Sequence, residues 1–224
     1  MDSNRFLVYP LEHLPFILLV LVIAFTLHEF AHAYSAYKFG DMTAYNAGRV
    51  TLNPMSHLDV LGTILILIAG FGWAKPVPVN RGRFKHPRLM GIVVSAVGPL
   101  SNLLLAFIAA IGIGIMYKLG LWTNTDPSGS IVALKLFLTY MIGLNALLFL
   151  FNLIPLPPLD GYRIIEDLAP IHTRIKMQQY EQWGIFAFLI MAFIPPINRV
   201  TLQPILMYTE DIKNGLLRFV GMFL

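Results

Sequence analysis

The string His28-Glu29-Phe30-Ala31-His32 sets two imidazoles four residues apart, with a carboxylate beside the first. On a helix, positions four apart share a face, so both rings can reach one metal ion. Glu29 then lies where it could take a proton from an activated water. The string sits inside a stretch apolar enough to cross a membrane, where ionisable side chains are costly. In a soluble chain this pattern is a moderate signal. Inside an apolar helix it asks for a chemical reason.

A second string, NLIPLPPLDG from Asn152 to Gly161, follows a later apolar stretch. Its three prolines stop the preceding helix and favour extended backbone. Taken alone, Asp160 before Gly161 reads as a sharp turn. Beside the first string it reads as a metal ligand, because catalytic zinc takes three protein ligands and two histidines with a carboxylate are a standard set. The chain has no cysteine, which excludes disulfides and thiolate sites and leaves His, Asp and Glu as the strong ligands. Asp160 is the best third ligand available to His28 and His32.

The elements that must position these groups are membrane helices. Of 224 residues, 57% are hydrophobic and only 12% charged, against about 25% charged in soluble domains. A net charge of +4 is modest, and no basic-aromatic patch points to nucleic acid. The first fourteen residues lack the order of a secretory signal, and cleavage after the first apolar segment would remove the His-Glu motif. Segments 14–38, 90–117 and 131–154 read as spans, with 183–198 as a shorter fourth. The reading is an all-α polytopic membrane protein with a three-helix core and additional short helices. Residues 1–224 form one domain, with a core over 14–165 and peripheral helices over 166–224. The stretch 200–224 mixes apolar and charged positions, as an interfacial or docked amphipathic helix would.

Topology constrains the short apolar segment 58–72. If it crossed fully, the first and third spans would run antiparallel, and Asp160 would face away from His28 and His32. The expectation is a re-entrant segment or partial helix that returns to the side it left. The loop WAKPVPVNRGRFKHPR after it carries Lys75, Arg81, Arg83, Lys85 and Arg88, which makes it cytoplasmic by the positive-inside rule. The turn at 118–130 and the N-terminus would then lie outside, and the metal site would open toward the cytoplasm. The stretch 43–57, with Thr, Tyr, Val and Asn-Pro punctuation, suggests a small interfacial β-hairpin. AKPVPVN reads as extended. Such edges could receive an unwound substrate segment by strand addition, or could be purely structural.

The two motifs together resemble the site-2 protease family of intramembrane zinc metalloproteases, in its minimal bacterial and archaeal subgroup. GPLSN, from Gly98 to Asn102, resembles a Gly-Pro-x-x-Asn element of the middle core helix, and LNPMSHLDVLGT and FGWAKPVPVN strengthen the likeness. Val60 stands where an Asp-Pro-x-Gly-Thr element would have proline, and the chain has no room for the PDZ or CBS domains of larger members. The resemblance implies one catalytic Zn2+ on His28, His32 and Asp160, with Glu29 as general base and acid. Asn152 could bind the developing oxyanion or simply cap a helix end. Asn102 could line a substrate groove, pack close to its neighbours or hydrogen-bond between helices. His57, with Asn53 nearby, could line a substrate groove, although a lone interfacial histidine is more often structural. His13, His86 and His172 read as solvated. The implied partners are a transmembrane protein or peptide substrate and the bilayer of a prokaryotic cell membrane; oligomeric state is left open. The alternative from another class is a non-proteolytic zinc transporter, which would need ligands along a path through both leaflets. Accessibility mapping of tags at residue 1 and near residue 85 should find them on opposite sides of the membrane; the same side would sink this topology.

Overall fold

In the computed structural model, residues 9–69, 72–122 and 129–223 are described. In chain order the helices are α1 (Leu14–Lys38), α2 (Thr43–Asn46), α3 (Val60–Ala69), α4 (Pro87–Lys118) and α5 (Gly129–Asn152). They continue with α6 (Asp160–Leu168), α7 (Ile171–Phe193), α8 (Pro195–Val200), α9 (Leu202–Leu206) and α10 (Tyr208–Gly221). Single 3-10 turns occupy Leu11–His13, Pro54–Ser56 and Arg81–Arg83. α1, α4 and α5 are the helices long and apolar enough to cross a bilayer. At about 1.5 Å per residue they run roughly 37, 48 and 36 Å, against a hydrocarbon core of about 30 Å. The chain is an integral membrane protein.

α1 begins behind Pro15, which suits a first turn because its missing N–H has no helical partner there. It ends at Gly40, whose φ of 96° only glycine adopts cheaply. α4 is central and packs on α1, α5, α6 and α10. Ile17, Val20, Leu21 and Phe25 of α1 meet Leu105, Ala106, Ala109 and Ala110 of α4 and Met141 and Ile142 of α5 in the main core. Small residues on α4 allow this close approach, which is what holds helices together where lipid is as apolar as leucine. α10 lies against α4 and α5, with Val220 in the same core, so its apolar face is docked.

Several expectations change. No strand occurs among the described residues, so the β-hairpin over 43–57 is replaced by α2 and the Pro54–Ser56 turn. Local side chains favour helical turns here: Asp41 accepts the Thr43 amide at 3.0 Å, and Asn53 accepts the Met55 amide at 3.1 Å. The segment 183–198 is not one span. α7 begins earlier, at Ile171, and stops at Phe193, because Pro195 and Pro196 force Ile194 to extended backbone (φ −94°, ψ 107°). Asp160 is not on a turn but opens α6. His13 is half-buried and bonds the Tyr140 hydroxyl at 2.8 Å, whereas His86 and His172 are exposed.

α3 has 10 residues, about 15 Å, and is too short to cross. Beyond it the Lys75 amide donates to the carbonyl of His57 at 2.8 Å, so the chain comes back to the place it left. Gly70 and Phe71 within the segment, and 123–128 within the turn at 118–130, lie outside the described residues, as does the N-terminal octet. Past Trp73 the chain runs to Asn80 as a strap with neither helix nor ladder.

Buried ion pairs join the Arg81–Arg83 turn to α6, and α6 to α7. Arg81 Nε lies 2.8 Å from Asp167, Arg174 lies 3.2 Å from Asp167, and Arg163 bridges Glu166 and Glu181. Glu166 and Asp167 are each 1% exposed. Burial pushes the Asp167 carboxyl up. Burial would raise Glu166 too, but hydrogen bonds from Gln178 and Arg163 outweigh it and hold that carboxyl down.

Asp41, fully buried, ties α2 to the strap through Thr43 and the Asn80 amide at 2.6 Å. Burial would raise its carboxyl; bonds from Thr43 and Asn80, and the Arg83 charge, outweigh that and hold it below the usual range. A depressed folded value means the stabilisation is fully present above the unfolded value of about pH 4 and is lost as pH falls through the folded one. Asp41→Asn should therefore lower stability near neutrality by roughly 1–3 kcal/mol. In thermal melts the gap from wild type should narrow as the pH is taken below about 4.

Candidate metal centre

His28 and His32 project from one face of α1, as four-residue spacing requires. Asp160 reaches them from the first turn of α6. The Nε2 atoms of the two histidines lie 3.0 Å apart, and Asp160 Oδ2 is 3.1 Å from His28 Nε2 and 3.3 Å from His32 Nε2. Both rings are buried and Asp160 is half-buried. Gly161 permits the approach of α6, since a Cβ there would strike the carbonyl of Leu153. Gly98 of α4 does the same for the histidines: a side chain would collide with the His32 ring.

The second nitrogen of each ring shows what the first must be. His32 Nδ1 lies 2.6 Å from the Val94 carbonyl, which can only accept, so Nδ1 carries the proton. Pro99, inside α4, has no N–H to give to the Ser95 carbonyl one turn earlier, beside Val94. His28 Nδ1 lies 2.7 Å from Asn102 Oδ1. Asn102 Nδ2 donates to Asn145 Oδ1 at 3.0 Å, and Asn145 Nδ2 donates to the Met141 carbonyl at 2.9 Å. The backbone carbonyl at the end of this relay sets each amide in turn, and His28 Nδ1 must be the donor.

With both Nδ1 atoms protonated, neutral rings present lone pairs at Nε2. These two lone pairs and Asp160 Oδ2, a buried oxygen with no hydrogen-bond partner, face one another with no proton between them. Such an arrangement repels itself unless a cation sits inside it. Bond lengths of about 2.0–2.1 Å to a tetrahedral zinc would separate its ligands by about 3.3 Å, close to the spacings here. His28, His32 and Asp160 could hold a metal ion, and they fit zinc.

Glu29, 8% exposed, is held at one oxygen: its Oε2 accepts the Val77 amide of the strap at 3.0 Å. Asn102 is fully buried behind His28 rather than in a groove. Asn152 spends its Nδ2 on the Leu148 carbonyl of its own helix at 2.9 Å, the capping alternative. His57 is wholly buried, with Nε2 bonded to the Thr51 carbonyl at 2.8 Å, and offers no face to a groove. Asn53 is exposed and caps the 3-10 turn. Asn145 was missed by the motif reading, although a lone amide in the middle of an apolar span is itself a signal.

Fold and site together define a helical membrane protein with a buried two-histidine, one-carboxylate centre of the hydrolase kind. The profile of Peptidase family M50 matches residues 124–195, the stretch containing Asp160. The chain is 54% identical over 208 residues to "Putative zinc metalloprotease YwhC" of Bacillus subtilis, with 93% of each chain covered. It is 28% identical over 198 residues to "Putative zinc metalloprotease Rip2" of Mycolicibacterium smegmatis, covering 85% of this chain and 72% of that one. A Mycobacterium tuberculosis H37Rv protein of the same name is 28% identical over 184 residues, covering 79% and 66%. No solved structure matches. This chain belongs to peptidase family M50, the site-2 proteases.

Because the Asn102–Asn145 relay sets the His28 tautomer, Asn145→Ala should weaken zinc binding about 10- to 100-fold. Competition against a chromophoric chelator checks this, with helix content by circular dichroism unchanged from wild type.

Proposed function

We propose that the chain hydrolyses a peptide bond in or next to a transmembrane segment of a membrane-protein substrate, as an intramembrane zinc metalloprotease. The observation that carries this reading is the convergence of His28 Nε2, His32 Nε2 and Asp160 Oδ2 within 3.0–3.3 Å, beside Glu29, on helices apolar enough to lie in a bilayer. His28 and His32 donate neutral nitrogens, and Asp160 supplies one negative charge. Zinc held there supplies Lewis acidity, acidifying water and polarising a carbonyl.

Glu29 accepts a proton from the attacking water as its oxygen joins the carbonyl carbon. It then delivers that proton to the amine nitrogen as the C–N bond breaks. The substrate must unwind at the cleaved bond, since helical carbonyls are occupied by internal hydrogen bonds. The basic residues of 73–88 support a site opening toward the cytoplasm.

In purified full-length protein, Glu29→Gln should keep one zinc per chain and lower hydrolysis of membrane-embedded peptides by about 10²- to 10⁴-fold. Equal cleavage by variant and wild type would overturn the assignment, and zinc flux across vesicles without cleavage would favour a transporter.

A further inference from the structure

The strap 73–80 has no ladder partner, yet its backbone groups are taken up one by one. The Lys75 amide donates to the His57 carbonyl at 2.8 Å, the Asn80 amide to Asp41 at 2.6 Å, and the Val77 amide to Glu29 Oε2 at 3.0 Å. Pro76 and Pro78 have no N–H, so within 76–78 Val77 owns the single amide proton, and it is aimed at Glu29. Two carbonyls are gripped by one side chain: Arg49 donates through Nη2 to Lys75 at 2.6 Å and through Nη1 to Pro76 at 3.2 Å.

Arg49 is 7% exposed and its Nε has no hydrogen-bond partner. Arg81 and Arg163 lie against carboxylates, but among the described residues none comes within ion-pair distance of Arg49. A buried cation held only by carbonyl dipoles is an unfavourable way to fasten a loop. Its geometry does serve one end. Clamping the carbonyls of 75 and 76 fixes the peptide plane that carries the Val77 N–H. The last torsion of a glutamate side chain is soft, so one directional donor decides how its carboxylate is turned.

We propose that Arg49 is a positioning residue for catalysis: it holds the strap so that the Val77 amide orients the Glu29 carboxylate for proton transfer. The catalytic consequence rests on the protease reading above; the strap contact itself does not.

Wild type, Arg49→Lys and Arg49→Met are compared as full-length protein in detergent. The kinetic probe is a fluorophore–quencher peptide with one apolar segment of about 20 residues interrupted by Asn-Gly. Arg49→Met should lower kcat about 10- to 100-fold with KM changed by less than about twofold and zinc content unchanged. Arg49→Lys should recover part of the loss, since an ammonium can still donate to one carbonyl. A second readout needs no cleavage: in ¹⁵N-valine-labelled protein, the Val77 amide, identified by its absence in Val77→Ile, should move upfield in Arg49→Met. An unmoved Val77 resonance overturns the proposal. So does an unchanged or raised kcat, a loss carried by KM alone, or a loss that tracks zinc content. A wild-type chain that leaves the peptide uncut counts against the protease reading, and the Val77 shift then decides the strap contact by itself.

Discussion

Hydrocarbon offers no hydrogen bonds, so every polar atom placed at membrane depth must find its partner within the protein. The metal-facing nitrogens of His28 and His32 are available because their other nitrogens are committed, one to the Val94 carbonyl and one to Asn102. Those commitments require α4 to lie against α1 at Gly98, where a single methyl group would displace both rings. They also require α5 to bring Asn145 to Asn102, and a backbone carbonyl to stop the relay. The packing of the three long helices and the protonation of two imidazoles are one problem with one solution.

The candidate ligands were legible because each sits in a recognisable local pattern. His28, Glu29 and His32 fall within a single helical turn, and Asp160 follows a proline run that has to end a span. The return of 58–72 was legible from topology alone, since parity of crossings decides whether Asp160 and His28 can meet. What escaped the sequence is what joins distant segments. Asn102 and Asn145 are 43 residues apart, and the Glu29–Val77 contact spans 48. No spacing rule reaches so far. Thr and Val over 43–57 suggested strands, but Asp41 and Asn53 offered closer partners and turned the backbone into helical turns. Hydropathy over 183–198 ran straight through Pro195 and Pro196, which cannot continue a helix.

The strap shows how an irregular segment can be tightly specified without secondary structure. The Val77 and Asn80 amides and the Lys75 and Pro76 carbonyls are taken up by side chains of α1 and the loop after it, and the Lys75 amide by the backbone carbonyl of His57. Proline alternation removes the donors that would otherwise invite a strand partner. Val79 meanwhile packs with Ala36, Phe84 and Val94, which seats the strap against α1 and α4.

α6 is only 9 residues long, about 13 Å, and its two ends live in different worlds. The first residue, Asp160, faces His28 and His32 in the candidate metal centre; the seventh and eighth, Glu166 and Asp167, are locked among Arg81, Arg163 and Arg174. A rod that short does not bend to absorb a displacement. Asp160 thus faces the histidines at one end of α6, while the other end is tied to Arg81 of the turn after the strap and to Arg174 of α7. α7 offers no group to the candidate centre, yet through Arg174 and Asp167 it is tied to the same short helix on which Asp160 stands.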